Sequence, residues 1–368
     1  MEAKIKTDKI PIYKPFIGSE ETELVLECMN STWISSQGEF IKKFEEKMET
    51  YTGSSNAITV SNGTVAIHLA MLALDIKPGD EVITTNFTYV ASSNSILYVG
   101  ATPVFVDIDP LTWNIDCKKI EEKITPKTKA ILYTNIYGAI ADYYALKAIS
   151  DKHGLFLIED AAESVGSSYK GKMSGTLGDI STFSFFGNKT LTTGEGGMVL
   201  TNNKVLADKV RQLKNQGNSE TVRYYHDLLG YNYRMTNIQA AIGLAQFNKI
   251  ETILKLKRGI QKIYEDGLKD VVSFQMILDN TTSSFWMCSV LFNTVRDKEI
   301  VIKALSENGI ETRPFFIPIS SLPFYEDLSN CEVTQKVSTL GLNLPSYPEL
   351  TTEDQNRIIN IIRKNIVK

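Results

Sequence analysis

The run ISTFSFFGNKTLTTGEGGMV, residues 180–199, decides how the rest of the chain is read. It opens on β-branched and aromatic residues, Ile180, Thr182, Phe183, Phe185 and Phe186, which predict a strand. Gly187 and Asn188 break that strand, and Lys189 follows. Thr190, Thr192 and Thr193 come next, then Gly194, Gly196 and Gly197, and a second apolar run starts at Met198. One lysine therefore sits in a tight loop, with aromatics on one side and hydroxyls and glycines on the other. A lysine held and desolvated in this way gives up its proton more readily and becomes a nucleophile. The plain alternative is an exposed lysine in a turn, the usual place for that residue.

Upstream, LFLI at 155–158 predicts a short buried strand ending in Glu159-Asp160, with Ala161, Ala162, Glu163, Ser164 and Gly166 beyond it. An acid at the carboxyl end of a buried strand points into the crevice where α/β sheets bind ligands. Pyridoxal phosphate asks two things of a protein: a lysine for covalent attachment and a carboxylate that keeps its ring nitrogen protonated. Lys189 and Asp160 are candidates for those roles. An aspartate at a strand end also serves as the cap of a following helix.

The chain has 368 residues, room for two or more domains. Hydrophobic content of 43% and charged content of 22% fit an ordinary globular protein. The net charge of −4, with no basic tract, argues against a nucleic-acid partner. No apolar run is long enough to span a membrane, and MEAKIKTDKI at the amino end has no apolar signal core, so a cytoplasmic location is expected. Cys28, Cys117, Cys288 and Cys331 lie far apart, as do His68, His153 and His226. That scatter has no metal-ligand spacing, and reduced structural cysteines without a metal site are expected.

Strands alternate with helices through residues 57–202, which predicts a mainly parallel sheet with helices on both faces. At 61–64, Ser-Asn-Gly-Thr separates a strand from a helix. Backbone N–H groups at a helix start, with a threonine hydroxyl, make either a phosphate site or an ordinary cap. Tyr89, in the turn after the next strand, either stacks on a flat ligand or fills the core. Thr236 caps a strong helix, with Asn232 and Arg234 just before it. Beyond 251, a helix at 252–268, strands at 285–292 and 310–316, a helix at 298–308 and a closing amphipathic helix at 353–366 predict a smaller α+β domain. The expected division is 1–250, with an amino-terminal arm at 1–38, and 251–368. Arg313 is the one charge in its apolar strand, and either meets a carboxylate or phosphate or lies on an edge.

EDAAES at 159–164, FSFFGNKTLTTGEGGMV at 183–199 and GYNYRMTNIQAAIGLAQ at 230–246 resemble the pyridoxal-phosphate nucleotide-sugar aminotransferases of the DegT/DnrJ/EryC1/StrS family. The likeness runs from PIYKPF at 11–16 to NLPSYP at 343–348. It implies an aspartate-aminotransferase-like α/β fold (fold type I), with a mainly parallel seven-stranded sheet and a smaller α+β carboxyl-terminal domain. It also implies that Lys189 and Asp160 are catalytic, and that Gly63, Thr64 and Ser184 hold the cofactor phosphate. Tyr89 would lie on the ring face, Asn188 beside the lysine would touch the cofactor, and Glu163 would border the ring hydroxyl, where many relatives carry Gln. Asn232 would reach the phosphate of a neighbouring subunit, so the resemblance implies a homodimer with shared active sites. Ser35, Ser36 and Arg313 would face the substrate.

The implied substrates are L-glutamate and a nucleotide-linked 4-keto-6-deoxyhexose, aminated at C4. Within the family the likeness is strongest to members that act in the GDP-mannose series. A dTDP- or UDP-linked 4-keto-6-deoxyglucose is the alternative, because Asn135 and Ala139 stand where many relatives carry histidine or another polar residue. A second alternative, a homologue that senses sugars without catalysis, would be expected to lack the lysine or the aspartate. Both are present.

Overall fold

A computed structural model describes residues 9–325 and 331–366. The first eight residues of the expected arm, and with them most of the segment read for a signal, lie outside the described residues. An extended segment leads to two helices, α1 (Ser19–Ser31) and α2 (Glu39–Thr52). Then come β1 (Asn56–Val60), α3 (Gly63–Ala73), β2 (Glu81–Thr85), α4 (Val90–Tyr98), β3 (Thr102–Val106), β4 (Thr128–Thr134), α5 (Tyr143–His153) and β5 (Phe156–Asp160). A short hairpin, β6 (Ser168–Tyr169) and β7 (Lys172–Met173), precedes β8 (Ile180–Ser184) and β9 (Gly197–Thr201). Helices α6 (Lys204–Lys214), α7 (Asn237–Asn248) and α8 (Ile250–Leu268) follow.

The main sheet has seven strands in the order β1-β9-β8-β5-β4-β2-β3. Only β9 runs against its neighbours; every other adjacent pair is parallel. The inner strands β4 and β5 carry short continuous apolar runs, 130–133 and 156–158, as expected where helices cover both faces. Ile58, Val60, Val82 and Leu132 pack on one side against Ile67, Leu69 and Met71 of α3 and Val210 of α6. Ala57, Phe183, Met198 and Leu200 pack on the other against Phe40 and Phe44 of α2 and Ala240 and Ala241 of α7.

The remainder builds a second sheet from β10 (Ser273–Phe274), β12 (Cys288–Leu291), β13 (Arg313–Pro314) and β14 (Gly341–Leu344), in the order β10-β12-β14-β13. Between β10 and β12, β11 (Thr281–Thr282) pairs instead with β6. Helices α9 (Val295–Glu307), α10 (Glu332–Leu340) and α11 (Thr352–Asn365) complete it. The strands are shorter than the apolar runs predict. Of 310–316 only Arg313 and Pro314 join this sheet's ladder, since Pro314 withholds an N–H from it. The segment near the amino end crosses to this sheet: Ile10 bridges Ile310 and joins its core beside Tyr264 and Val290.

Candidate active site

Three chain segments meet where parallel strands end. Val60 and Ser184 both face Gly197 across the ladder, so the starts of the connections after β1 and β8 lie side by side. A Cβ on Gly197 would stand 2.4 Å from the Asn62 carbonyl oxygen, so only glycine lets the start of α3 come this close to the sheet. Asn62 caps α3 by accepting from Val65 N–H at 3.0 Å. A Cβ on Gly63 would lie 2.7 Å from Ser184 Cβ, which puts the Ser184 hydroxyl against the helix start. Gly63, Thr64 and the Ser184 hydroxyl thus stand together at a helix start, where N–H groups without intrahelical partners can receive an anion.

Lys189 follows a turn in which its N–H donates to the Phe186 carbonyl at 2.9 Å. Two distant side chains fix this loop: Tyr13 Oη donates to the Lys189 carbonyl at 2.7 Å, and Trp286 Nε1 donates to the Asn188 carbonyl at 2.7 Å. The lysine side chain is 10% exposed. Its Nζ lies 3.8 Å from Glu163 Oε1 and 3.7 Å from the centroid of the Trp286 ring. Burial lowers the Lys189 amine from its ordinary value and Arg313 adds to that, while Glu163 and Asp160 oppose it. Burial pushes the Glu163 carboxyl up to about 7 against the pull of Lys189. Both shifts favour a pair that shares one proton over two buried ions.

Asp160 ends β5 and is buried. Its Oδ2 accepts from Ser92 Oγ at 2.5 Å and from Thr134 Oγ1 at 3.5 Å, and its Oδ1 from Ala162 N–H at 3.1 Å. Thr88 closes this hydroxyl ring, 3.1 Å from Ser92 and 3.0 Å from Thr134. Burial raises the Asp160 carboxyl, and those donors together with Lys189 offset part of the rise. Glu159, one residue earlier, points to the opposite face. There it accepts from Asn135 Nδ2, Ser174, Ser181 and the N–H groups of Gly175 and Leu177. It is a structural acid.

Asn135 is thus fully buried, and its Oδ1 accepts from Ala141 N–H. Ala139 is buried as well. The Asn135 amide is therefore engaged inside the fold, donating to Glu159 and accepting from Ala141 N–H. Arg313 is half-buried and acts electrostatically on Lys189 and Glu163, so the structure brings it to the cluster. Tyr89 is 58% exposed at the start of α4, with its ring 6.0 Å from Phe316, so it offers an aromatic face. Asn188 Oδ1 and Thr190 Oγ1, on either side of Lys189, are buried without a partner among the described residues.

Three expected residues lie apart from this cluster. Asn232 is exposed and accepts from Arg234 at 3.0 Å. Ser36 lines a hollow of about 300 Å³ with Gln37, Arg211, Lys214 and Arg234. The Ser35 carbonyl accepts from Asn237 N–H at the start of α7. Sequence reasoning missed Tyr13, Ser92 and Trp286. Buried serines inside α4 were a usable signal for Ser92, since serine gains little in a helix interior without a polar partner. Nothing local marks the other two.

The folded chain holds the Glu163 proton up to about pH 7, whereas the unfolded chain releases it near 4.5. Between those values the folded state binds more protons, so this group's contribution to stability falls as pH rises through the window. Glu163→Gln still offers an acceptor to Tyr137 N–H, which bonds Glu163 Oε2 at 2.7 Å, but cannot ionise. Urea melts at about pH 5 and about pH 8 should show the wild type losing more stability than the variant over that interval. Equal losses would contradict the assignment.

The description "DegT/DnrJ/EryC1/StrS aminotransferase family" fits residues 15–363 of this chain. The GDP-perosamine synthase of Escherichia coli O157:H7 is 48% identical over 94% of the chain and 95% of that protein. The GDP-perosamine synthase of Caulobacter vibrioides is 45% identical over 98% of the chain and 99% of that protein. Among solved structures, the PMP-form of the putative sugar aminotransferase Spr1654 from Streptococcus pneumoniae superimposes with a TM-score of 0.93 at 27% identity, covering 97% of each chain. The family's cofactor is pyridoxal phosphate, and the donor set here suits it: a buried amine, a buried acid, an anion cradle, an open aromatic face and unpartnered polar atoms beside the lysine. The chain belongs to the DegT/DnrJ/EryC1/StrS family of pyridoxal-phosphate aminotransferases.

Proposed function

We propose that this enzyme moves the amino group of L-glutamate to C4 of GDP-4-keto-6-deoxymannose, the reaction that forms GDP-perosamine. The observation that carries the reading is near-full-length likeness to GDP-perosamine synthases in a chain that keeps the buried Lys189 amine beside Glu163 and Asp160. Pyridoxal phosphate, when bound, supplies the electron-withdrawing ring that lets a proton leave the α-carbon of an amino acid. Lys189 Nζ, kept partly neutral by burial, takes that proton and returns it to the other carbon of the exchange. Asp160, fixed by Ser92, Thr134 and Ala162 N–H, holds a proton on the ring nitrogen. Glu163 stores or releases the charge that balances Lys189. Gly63, Thr64 and Ser184 bind the phosphate, Tyr89 covers the ring, and Asn188 contacts the cofactor. Arg313 takes a negative group of the substrate.

The alternative is the same transfer on a dTDP- or UDP-linked 4-keto-6-deoxyglucose. Purified enzyme with glutamate should turn over GDP-4-keto-6-deoxymannose at least ~100-fold faster, in kcat/KM, than the dTDP- and UDP-linked 4-keto-6-deoxyglucoses, about 3 kcal/mol of discrimination. A preference for either of the latter would overturn the substrate.

We further propose a cytoplasmic homodimer with shared sites, and domains divided at 250/251. Asn232, Ser35 and Ser36 would then serve the partner's site. Leu26, Met29, Trp33, Ile34, Tyr225 and Leu229 are exposed on or near the same segments, apolar surface that a partner subunit would cover. Neither Lys189→Ala nor Asn232→Ala should turn over alone, whereas mixed dimers should recover about a quarter of wild-type activity, since one in two random dimers holds one intact site. No recovery would place Asn232 in its own subunit's site.

A further inference from the structure

Trp286 makes two contacts with the lysine loop through two different parts of one side chain. Its ring face lies under Lys189 Nζ, 3.7 Å from the centroid, well inside the range at which a cation is drawn to an aromatic face. Its indole N–H donates to the carbonyl of Asn188, the residue before the lysine. The residue is 3% exposed and comes from the segment that enters β12, far from Lys189 in sequence. Its placement is enforced. Gly138, at φ +100°, has no Cβ; one there would stand 2.8 Å from Phe285 N and 2.9 Å from Trp286 N. Phe285 itself is left-handed, at φ 47°, which turns the chain just before the tryptophan. Tyr137 stacks on the Trp286 ring at 6.2 Å and 29°, and on Phe316 at 5.6 Å. The ring is braced in one orientation before any ligand contributes.

We propose that Trp286 is a positioning residue for transamination: its ring face is the seat of the Lys189 amine whenever that amine is not covalently engaged, and its N–H fixes the loop that carries it. This rests on the aminotransferase reading of Lys189. The lysine must alternate between covalent attachment and a free amine that carries a proton. A free amine on a flexible four-carbon stem would otherwise pair fully with Glu163 or leave the site. The aromatic face holds the charged form by a non-directional attraction without adding a proton acceptor, so the amine stays near the reacting atoms and can still lose its proton. The charged and titratable groups facing Nζ are Glu163 from the loop after β5, Asp160 from the end of β5 and Arg313 from β13. Tyr13, from the amino-terminal segment, meets the loop only at the Lys189 carbonyl. Among these groups Trp286 alone favours the ammonium without carrying a charge.

The test is the titration of the Lys189 amine in full-length protein freed of cofactor with hydroxylamine, read by competitive acetylation with acetic anhydride between about pH 6 and 11 and mass spectrometry of the Lys189 peptide. Trp286→Leu removes face and N–H together, and should lower the Lys189 pKa by about half a unit to one and a half units. Trp286→Phe keeps a face and loses the N–H. It should hold the pKa within about 0.3 units of wild type, while kcat falls about three- to tenfold at an unchanged KM for glutamate. A pKa that stays put in Trp286→Leu, or one that falls as far in Trp286→Phe, overturns the proposal. Should the Leu variant fail to fold, Trp286→Met carries the same expectation and is read against Trp286→Phe in the same way. The titration needs no turnover, so a wrong reading of the reaction would show as absent transamination, and a wrong reading of Trp286 as an unmoved pKa.

Discussion

The structure depends on one electrostatic compromise: a lysine amine taken out of water beside two buried carboxylates. An isolated ammonium in such a place would cost many kcal/mol, and so would either acid alone. The cluster lowers that cost by sharing. Lys189 is pulled toward its neutral form by burial and Glu163 toward its protonated form, while Asp160 keeps part of its charge through donors of its own. The arrangement is poor as a source of stability and useful as a source of chemistry. A buried, paired amine that gives up its proton more readily can act as nucleophile, base and acid, which a solvent-exposed lysine does poorly.

The sheet makes that compromise affordable by its topology. Parallel strands end together, and the connections after β1, β5 and β8 therefore converge. Glycine at 197 lets the start of α3 approach the ladder, so the helix N-terminus faces Ser184. Period-two alternation at the end of β5 sends Asp160 to the ligand side and Glu159 to an interior cage of donors. The smaller sheet then contributes Trp286 and Arg313, and the amino-terminal segment contributes Tyr13, so three parts of the chain converge on one lysine loop.

What the sequence disclosed follows the reach of its signals. Lys189, Asp160 and the start of α3 lie in contiguous motifs whose strand, turn and glycine pattern is local, and the alternation of strands with helices gave the mainly parallel sheet. Trp286 and Tyr13 meet Lys189 only through tertiary contact, across separations that no spacing rule covers. The partners of Asn135 are just as remote from its local sequence: its amide donates to Glu159 of the neighbouring strand and accepts from Ala141 N–H. The lengths of the short strands in the carboxyl-terminal part were also hidden, since apolar runs there continue past the last paired residue.

The most direct measurement is the visible absorbance of the full-length enzyme loaded with pyridoxal phosphate, followed through addition of L-glutamate and then of a keto-sugar nucleotide. The account predicts an absorbance band that needs Lys189, moves on addition of glutamate and returns with GDP-4-keto-6-deoxymannose. A band that forms and cycles equally well in Lys189→Ala would contradict it, because the buried amine would then have no part in the chemistry.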